Sequence, residues 1–206
     1  PVGEAGWRCV NAECAAQVEE RLIHFVSKDA MDIDGLGRDI VKRFYFLNLL
    51  NTIEDIYQLD YEKILELEGW GERSVNKLRN GVQASKNQKP ERVLYAMGIR
   101  HVGLTTAKTL MKSVNHVLEL KDMNEENLQE LPDIGPKVAQ SVSDFFKIDQ
   151  NIEMIRRLES FGINLEKEEQ EGQSSKLEGK TFLFTGTLNK MGRSEAKQLV
   201  EDNGGK

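Results

Sequence analysis

Two sets of residues in this chain have types and spacings suited to chemistry. The first is a cysteine pair, Cys9 and Cys14, with four residues between them, a separation found in structural zinc sites. A closed tetrahedral site takes four ligands, and two thiolates supply half of it. His24 is the nearby imidazole, on an amphipathic stretch running from Ala16 to Val26, and it reads as a packing or surface histidine. The alternative is two cysteines of no special role. Two cysteines cannot build a disulfide framework, so nothing argues for an oxidising compartment.

The second set is a repeated glycine corner. Four segments share one pattern: Ile33-Asp-Gly-Leu-Gly37, Leu67-Glu-Gly-Trp-Gly71, Ile99-Arg-His-Val-Gly103 and Leu131-Pro-Asp-Ile-Gly135. Their final glycines are 34, 32 and 32 residues apart, and four positions after each stands Val41, Val75, Ala107 or Ala139. One copy would carry little weight, but four in register define an internal repeat. The invariant final glycine is expected to take positive φ and turn the chain sharply between two helices. The flanking apolar residues should point inward. The helix after each turn then begins with unpaired N–H groups and the positive end of its dipole, uncovered by any side chain. Such a corner can receive a phosphate oxygen without reading a base. On this reading Gly35, Gly37, Gly69, Gly71, Gly103 and Gly135 are nucleic-acid-binding positions.

The copies differ in their third residue. His101 leaves a donor there and has Arg100 beside it; Asp133 tolerates a left-handed conformation but brings a negative charge. Pro136 suits a first helical position and removes one N–H donor. The fourth copy is therefore read as the most structural, with Gly135 and Lys137 its contacts. Basic and hydroxyl residues follow the corners: Arg38, Lys42 and Arg43; Arg73 and Lys77; Thr105, Thr106, Lys108 and Lys112; Lys137. As a recurrent set they read as phosphate-facing.

The net charge of -6 would argue against nucleic acid, but it conceals segregation. Residues 69–118 hold 9 basic and 2 acidic side chains, whereas residues 1–68 hold 7 against 14 and residues 119–171 hold 6 against 14. A cationic block inside an acidic chain is the footprint of a polyanion-facing surface. Mean hydropathy of -0.51 and the lack of an apolar run near eighteen residues exclude a membrane-spanning helix. No signal peptide is visible, and the chain begins Pro-Val-Gly, so it is expected to be an internal or processed piece of a longer protein.

Between the corners the periodicity predicts helices over 39–50, 53–59, 74–85, 91–97, 105–114, 125–131, 136–146 and 152–161. The expected fold class is mainly α: four hairpins in two paired units, spanning 28–163. Residues 1–27 form a small N-terminal element, and 164–176 have the composition of a linker. Residues 177–186 alternate like a β-strand, and 193–205 like an amphipathic helix with a glycine stop. About thirty residues are too few for an independent core.

These features resemble tandem helix-hairpin-helix domains, and the whole chain is similar to the C-terminal half of bacterial NAD-dependent DNA ligases. Arg8-Cys-Val-Asn-Ala-Glu-Cys14-Ala-Ala-Gln17 looks like that family's second zinc-ligand pair, running into Arg21-Leu-Ile-His-Phe25 and Asp34-Gly-Leu-Gly37. Met97-Gly-Ile-Arg-His-Val-Gly103 and Thr105-Thr-Ala-Lys108 are close to its third hairpin. The prolines often found around the family's cysteines are replaced here by Val10 and Ala15. The final segment resembles the opening of a BRCT domain, truncated, with Thr185 and Gly186 where some BRCT domains hold a phosphate and plain turn chemistry preferred here. The resemblance implies zinc in the intact protein, completed by two further cysteines, and NAD and magnesium bound outside this chain. It implies a monomer on nicked duplex DNA, with no membrane partner, in the cytoplasm at the bacterial nucleoid. The family's adenylated lysine lies in a Lys-x-Asp-Gly motif, which this sequence lacks, so no catalytic residue is expected here. The alternatives are a non-catalytic hairpin scaffold of another repair or recombination protein, and a structural repeat that binds a protein partner.

Overall fold

The computed structural model describes residues 14–167, 175–177, 179–184, 192, 196–197, 199–200 and 203–205. The chain divides between Lys167 and Glu168 into two compact units. In the first, nine α-helices follow one another among the described residues: α1 (Ala15–Val26), α2 (Arg38–Phe46), α3 (Tyr61–Leu65), α4 (Glu72–Ser85), α5 (Pro90–Ala96), α6 (Leu104–Lys112), α7 (Glu125–Gln129), α8 (Pro136–Phe146) and α9 (Asp149–Ser160). Two short 3-10 helices, Glu54–Gln58 and Val117–Asp122, join consecutive hairpins. Helices pack in sequential pairs, α1 on α2, α3 on α4, α5 on α6 and α7 on α8, around one continuous apolar core.

Local sequence explains where the elements start and stop. The Asp60 carboxylate accepts from the Lys63 amide at 3.2 Å to cap α3. The Asn124 side chain accepts from the Asn127 amide at 2.8 Å to cap α7. Pro136 occupies the first turn of α8, where its missing N–H costs nothing. The helix expected to reach Leu50 ends at Phe46 instead. Asn48 adopts φ 54°, the Asn48 amide donates to the Tyr45 carbonyl at 3.0 Å, and the Leu49 amide reaches the Phe44 carbonyl at 2.9 Å. That is a Schellman stop built on asparagine, and it turns Leu50 into the core from a new direction. Gly162, at φ 84°, ends α9 in the same way.

Residues Asn164–Lys167, whose composition suggested linker, are tied to the first unit. The Asn164 amide donates to the Lys86 carbonyl at 2.9 Å, the Lys167 amide to the Asn115 carbonyl at 2.7 Å, and Leu165 is buried. One leucine in a charged run was enough to anchor it. In the second unit, residues 179–184 carry no strand, and the described residues among 196–200 are helical. A single strand has no ladder partner among the described residues, so the alternation at 179–184 alone cannot form one. Ala196 and Val200 are buried. Thr185 and Gly186 lie outside the described residues. No helix among the described residues is long and apolar enough to cross a membrane.

Candidate nucleic-acid interface

The four corners are built alike, down to individual hydrogen bonds. In each, the fourth residue's amide donates to the first residue's carbonyl: Leu36 to Ile33 at 3.1 Å, Trp70 to Leu67 at 3.0 Å, Val102 to Ile99 at 3.1 Å and Ile134 to Leu131 at 3.2 Å. In each, the final glycine's carbonyl accepts from the residue four positions on: Val41 at 3.0 Å, Val75 at 3.0 Å, Ala107 at 2.8 Å and Ala139 at 3.0 Å. Those four acceptors' partners are all buried, so each corner is pinned to the core from both sides.

The geometry corrects one expectation. Positive φ falls on the third residue of each corner, at Gly35 (87°), Gly69 (84°), His101 (62°) and Asp133 (62°), as a turn needing φ > 0 at its third position requires. The final glycines are extended, with φ of -75°, -137°, -85° and -89° at Gly37, Gly71, Gly103 and Gly135. Any L-residue adopts those angles. They are the N-caps of α2, α4, α6 and α8, and an added Cβ would meet nothing within 4 Å at any of the four. All four are exposed. Nothing in the chain's own conformation or packing demands glycine there. At Gly71 the amide donates to the Ser74 hydroxyl at 3.0 Å; α2, α6 and α8 have no side-chain cap.

The candidate cations divide into two groups. Around the first corner they are engaged by carboxylates. Arg38 donates to both Glu20 oxygens at 2.6 and 2.5 Å, which holds the Glu20 carboxyl below its ordinary range and the guanidinium above its own. Lys42 lies 3.4 Å from Glu19, and Lys77 reaches Asp34 at 2.9 Å. Arg43 donates to the Glu68 carbonyl at 2.8 Å, so it fastens α2 to the second corner, where the Phe44 and Trp70 rings also meet, tilted by 35° with centroids 5.3 Å apart. Arg73, Lys108 and Lys137 are exposed and form no ion pair among the described residues. Arg100, His101 and Thr105 are exposed at the third corner and its helix start, and Thr106 is half-buried.

One residue that sets this site escaped the sequence reading. Gly81, mid-helix in α4, would place a Cβ 2.2 Å from the Asp34 carbonyl, while Gly35 would place one 3.0 Å from the Leu78 Cα. The first corner therefore lies directly on α4, backbone to backbone. A glycine inside a strong helical pattern costs about 1 kcal/mol against alanine, and that was the signal available. His24 proves to be a packing residue: its Nε2 is 2.9 Å from the Tyr95 carbonyl, with the rings edge to face. Cys14 is the N-cap residue of α1, and Cys9 lies outside the described residues. Among the described residues no group of three or more His, Cys, Asp or Glu could hold a metal ion. They contribute at most one zinc ligand, which does not make a site.

Paired helices joined by a turn whose third residue is left-handed and whose fourth is packed inward have the geometry of a helix-hairpin-helix motif. The family pattern described as a helix-hairpin-helix motif matches residues 92–155, covering the third and fourth corners. The chain is also similar along its whole length to curated DNA ligases: 49% identical over 205 residues to that of Persephonella marina, 45% over 203 residues to that of Aquifex aeolicus and 39% over 208 residues to that of Thermoanaerobacter pseudethanolicus. These alignments cover 100%, 98% and 100% of the chain, and 29%, 28% and 31% of the respective ligases. The chain fits a C-terminal portion of a bacterial DNA ligase.

Proposed function

We propose that this chain is the DNA-gripping portion of an NAD-dependent DNA ligase, the enzyme class that seals nicks in duplex DNA during replication and repair. It binds the sugar-phosphate backbone without sequence preference. The observation that carries the reading is the set of four exposed N-cap glycines with ordinary backbone angles and empty space where a side chain would be. A residue that the fold does not require but that appears four times in register is explained by a ligand that needs the room. A phosphate oxygen fits, because the first-turn N–H groups and the helix dipole attract an anion.

The chain contributes grip and orientation, and the chemistry of adenylation and strand joining belongs to other parts of the ligase, which also hold NAD and magnesium. Holding a nicked duplex in register converts an encounter into a positioned reaction, a large share of catalysis in general. Cys9 and Cys14 fit two corners of a four-thiolate zinc site completed outside this sequence. Zinc content of the complete ligase against a Cys14→Ala variant checks that assignment. Residues 177–206 are assigned to a BRCT-like element, and the ligase is assigned as a cytoplasmic monomer.

Threonine at Gly71 or Gly103 tests the reading. Threonine is about as good an N-cap as glycine, so stability is kept, but its bulk fills the space and its hydroxyl competes for the amides. Each variant is expected to bind a nicked duplex roughly tenfold more weakly, the worth of a charge-assisted hydrogen bond, with unchanged melting. Unchanged affinity in both would remove those corners from the interface.

A further inference from the structure

The helix that follows the second corner carries features that the corners themselves do not explain. Asn76 and Asn80 sit one turn apart on the exposed face of α4, in line with Arg73 and Lys77. Asparagine is a poor residue for an exposed helix interior, costing several tenths of a kcal/mol against alanine. Neither side-chain amide has a hydrogen-bond partner among the described residues. Two such choices on one face, beside the Gly81 demanded by hairpin packing, break the local rule without any gain inside the protein, and breaks of that kind mark functional sites.

The same residues line one open groove of about 620 Å³, running along α4 to the place where Asp34 of the first corner crosses it. Arg73 opens the groove at its second-corner end and Lys77 bridges it, bound to Asp34 at 2.9 Å. Asp34 is the one carboxylate in the lining, so the lining has a net positive charge. Arg73 to Asn80 covers seven helical steps, about 10 Å along the axis, the axial length of three nucleotides of one strand.

We propose that this groove is a track for one strand of duplex DNA, continuous with the second corner, in which Asn76 and Asn80 donate to sugar and phosphate oxygens while Arg73 and Lys77 supply charge. This rests on the reading of the chain as a DNA-gripping element and adds contacts that no glycine corner provides. Exposed ion pairs of the Lys77–Asp34 kind cost little to open, so an arriving phosphate replaces the Asp34 carboxylate as the partner of Lys77.

The test uses the full chain and a nicked duplex at several salt concentrations. The Asn76→Ala, Asn80→Ala double variant should bind about threefold to tenfold more weakly, equally for duplexes of different sequence. Its salt slope should match the parent, since no charge is removed, and its melting temperature should stay or rise, since alanine suits the helix better. Asp34→Asn should tighten binding in the parent and lose that effect in a Lys77→Met background. Unchanged affinity of the double variant, with Gly71→Thr still weakened, would overturn the track and leave the corners standing. Unchanged affinity in both sets would remove the underlying reading as well. A fall in melting temperature together with affinity would make the asparagines structural, and a loss confined to some sequences would mean base reading; either overturns the proposal.

Discussion

Glycines at three kinds of position obey three different constraints in this chain. Gly35 and Gly69 are glycine because their φ is left-handed; Gly81 because another backbone lies against it; Gly71 and Gly103 for neither reason. The sequence pattern exposed the recurrence of the last kind but misplaced the left-handed turn onto it, because periodicity marks which residue is invariant and not which dihedral it adopts. His101 and Asp133 were the clue: the position that accepts a histidine or an aspartate at φ 62° is the one holding the turn. The glycines therefore respond differently to one methyl group. Gly81→Ala forces the Asp34 backbone away from α4 and should cost about 1–3 kcal/mol, as overpacking does. Gly71→Ala should cost less than about 1 kcal/mol, the loss of a neutral cap preference. Urea unfolding of both variants checks this, and equal losses would mean that the first corner does not rest on α4.

At the scale of elements, most helices were legible because caps and periodicity agree: Asn124 before α7 and Pro136 at α8 are unambiguous. Short elements were less so. Helix α3, five residues beneath a capping Asp60, is too brief to show a period, and the 3-10 helix Val117–Asp122 begins on a cap supplied by the His116 ring nitrogen. Packing between elements was not legible at all. Tyr57, on the 3-10 helix Glu54–Gln58, stacks on Phe161 at the end of α9, meets Phe25 of α1 edge-on, and shares a 3.2 Å hydrogen bond with Ser85 of α4. Burial there pushes its phenol up to about 12. The unfolded phenol titrates near 10, so between pH 10 and 12 the unfolded chain releases a proton that the folded chain keeps. The contribution is complete below pH 10 and is lost as pH rises through 12, up to about 2–3 kcal/mol in all. At pH 11 the parent should therefore have lost about 1 kcal/mol more, relative to pH 9, than Tyr57→Phe. An identical pH dependence in the two would show that Tyr57 is not held neutral by this packing.

For the whole molecule, the segregated charge has a structural counterpart. The first corner lies in acidic sequence: its Arg38 and Lys42 pair with Glu20 and Glu19, and its Asp34 holds Lys77 from the helix after the second corner. The corners at Gly71, Gly103 and Gly135 present Arg73, Lys108 and Lys137 without such partners among the described residues. The charge blocks mark where basic residues concentrate along the chain, but the pairing that engages Arg38, Lys42 and Lys77 depends on which side chains meet in space, and no spacing rule gives that. The measurement that bears most directly on the central claim is the affinity for a nicked duplex as salt is raised. With Arg73, Lys77, Lys108 and Lys137 each neutralising one phosphate, the log–log slope should be about -3 to -4, the same for unrelated sequences, and shallower by about 1 for each of these four replaced by Met. A slope near zero, or one that changes with base sequence, would contradict a grip exerted through the phosphate backbone.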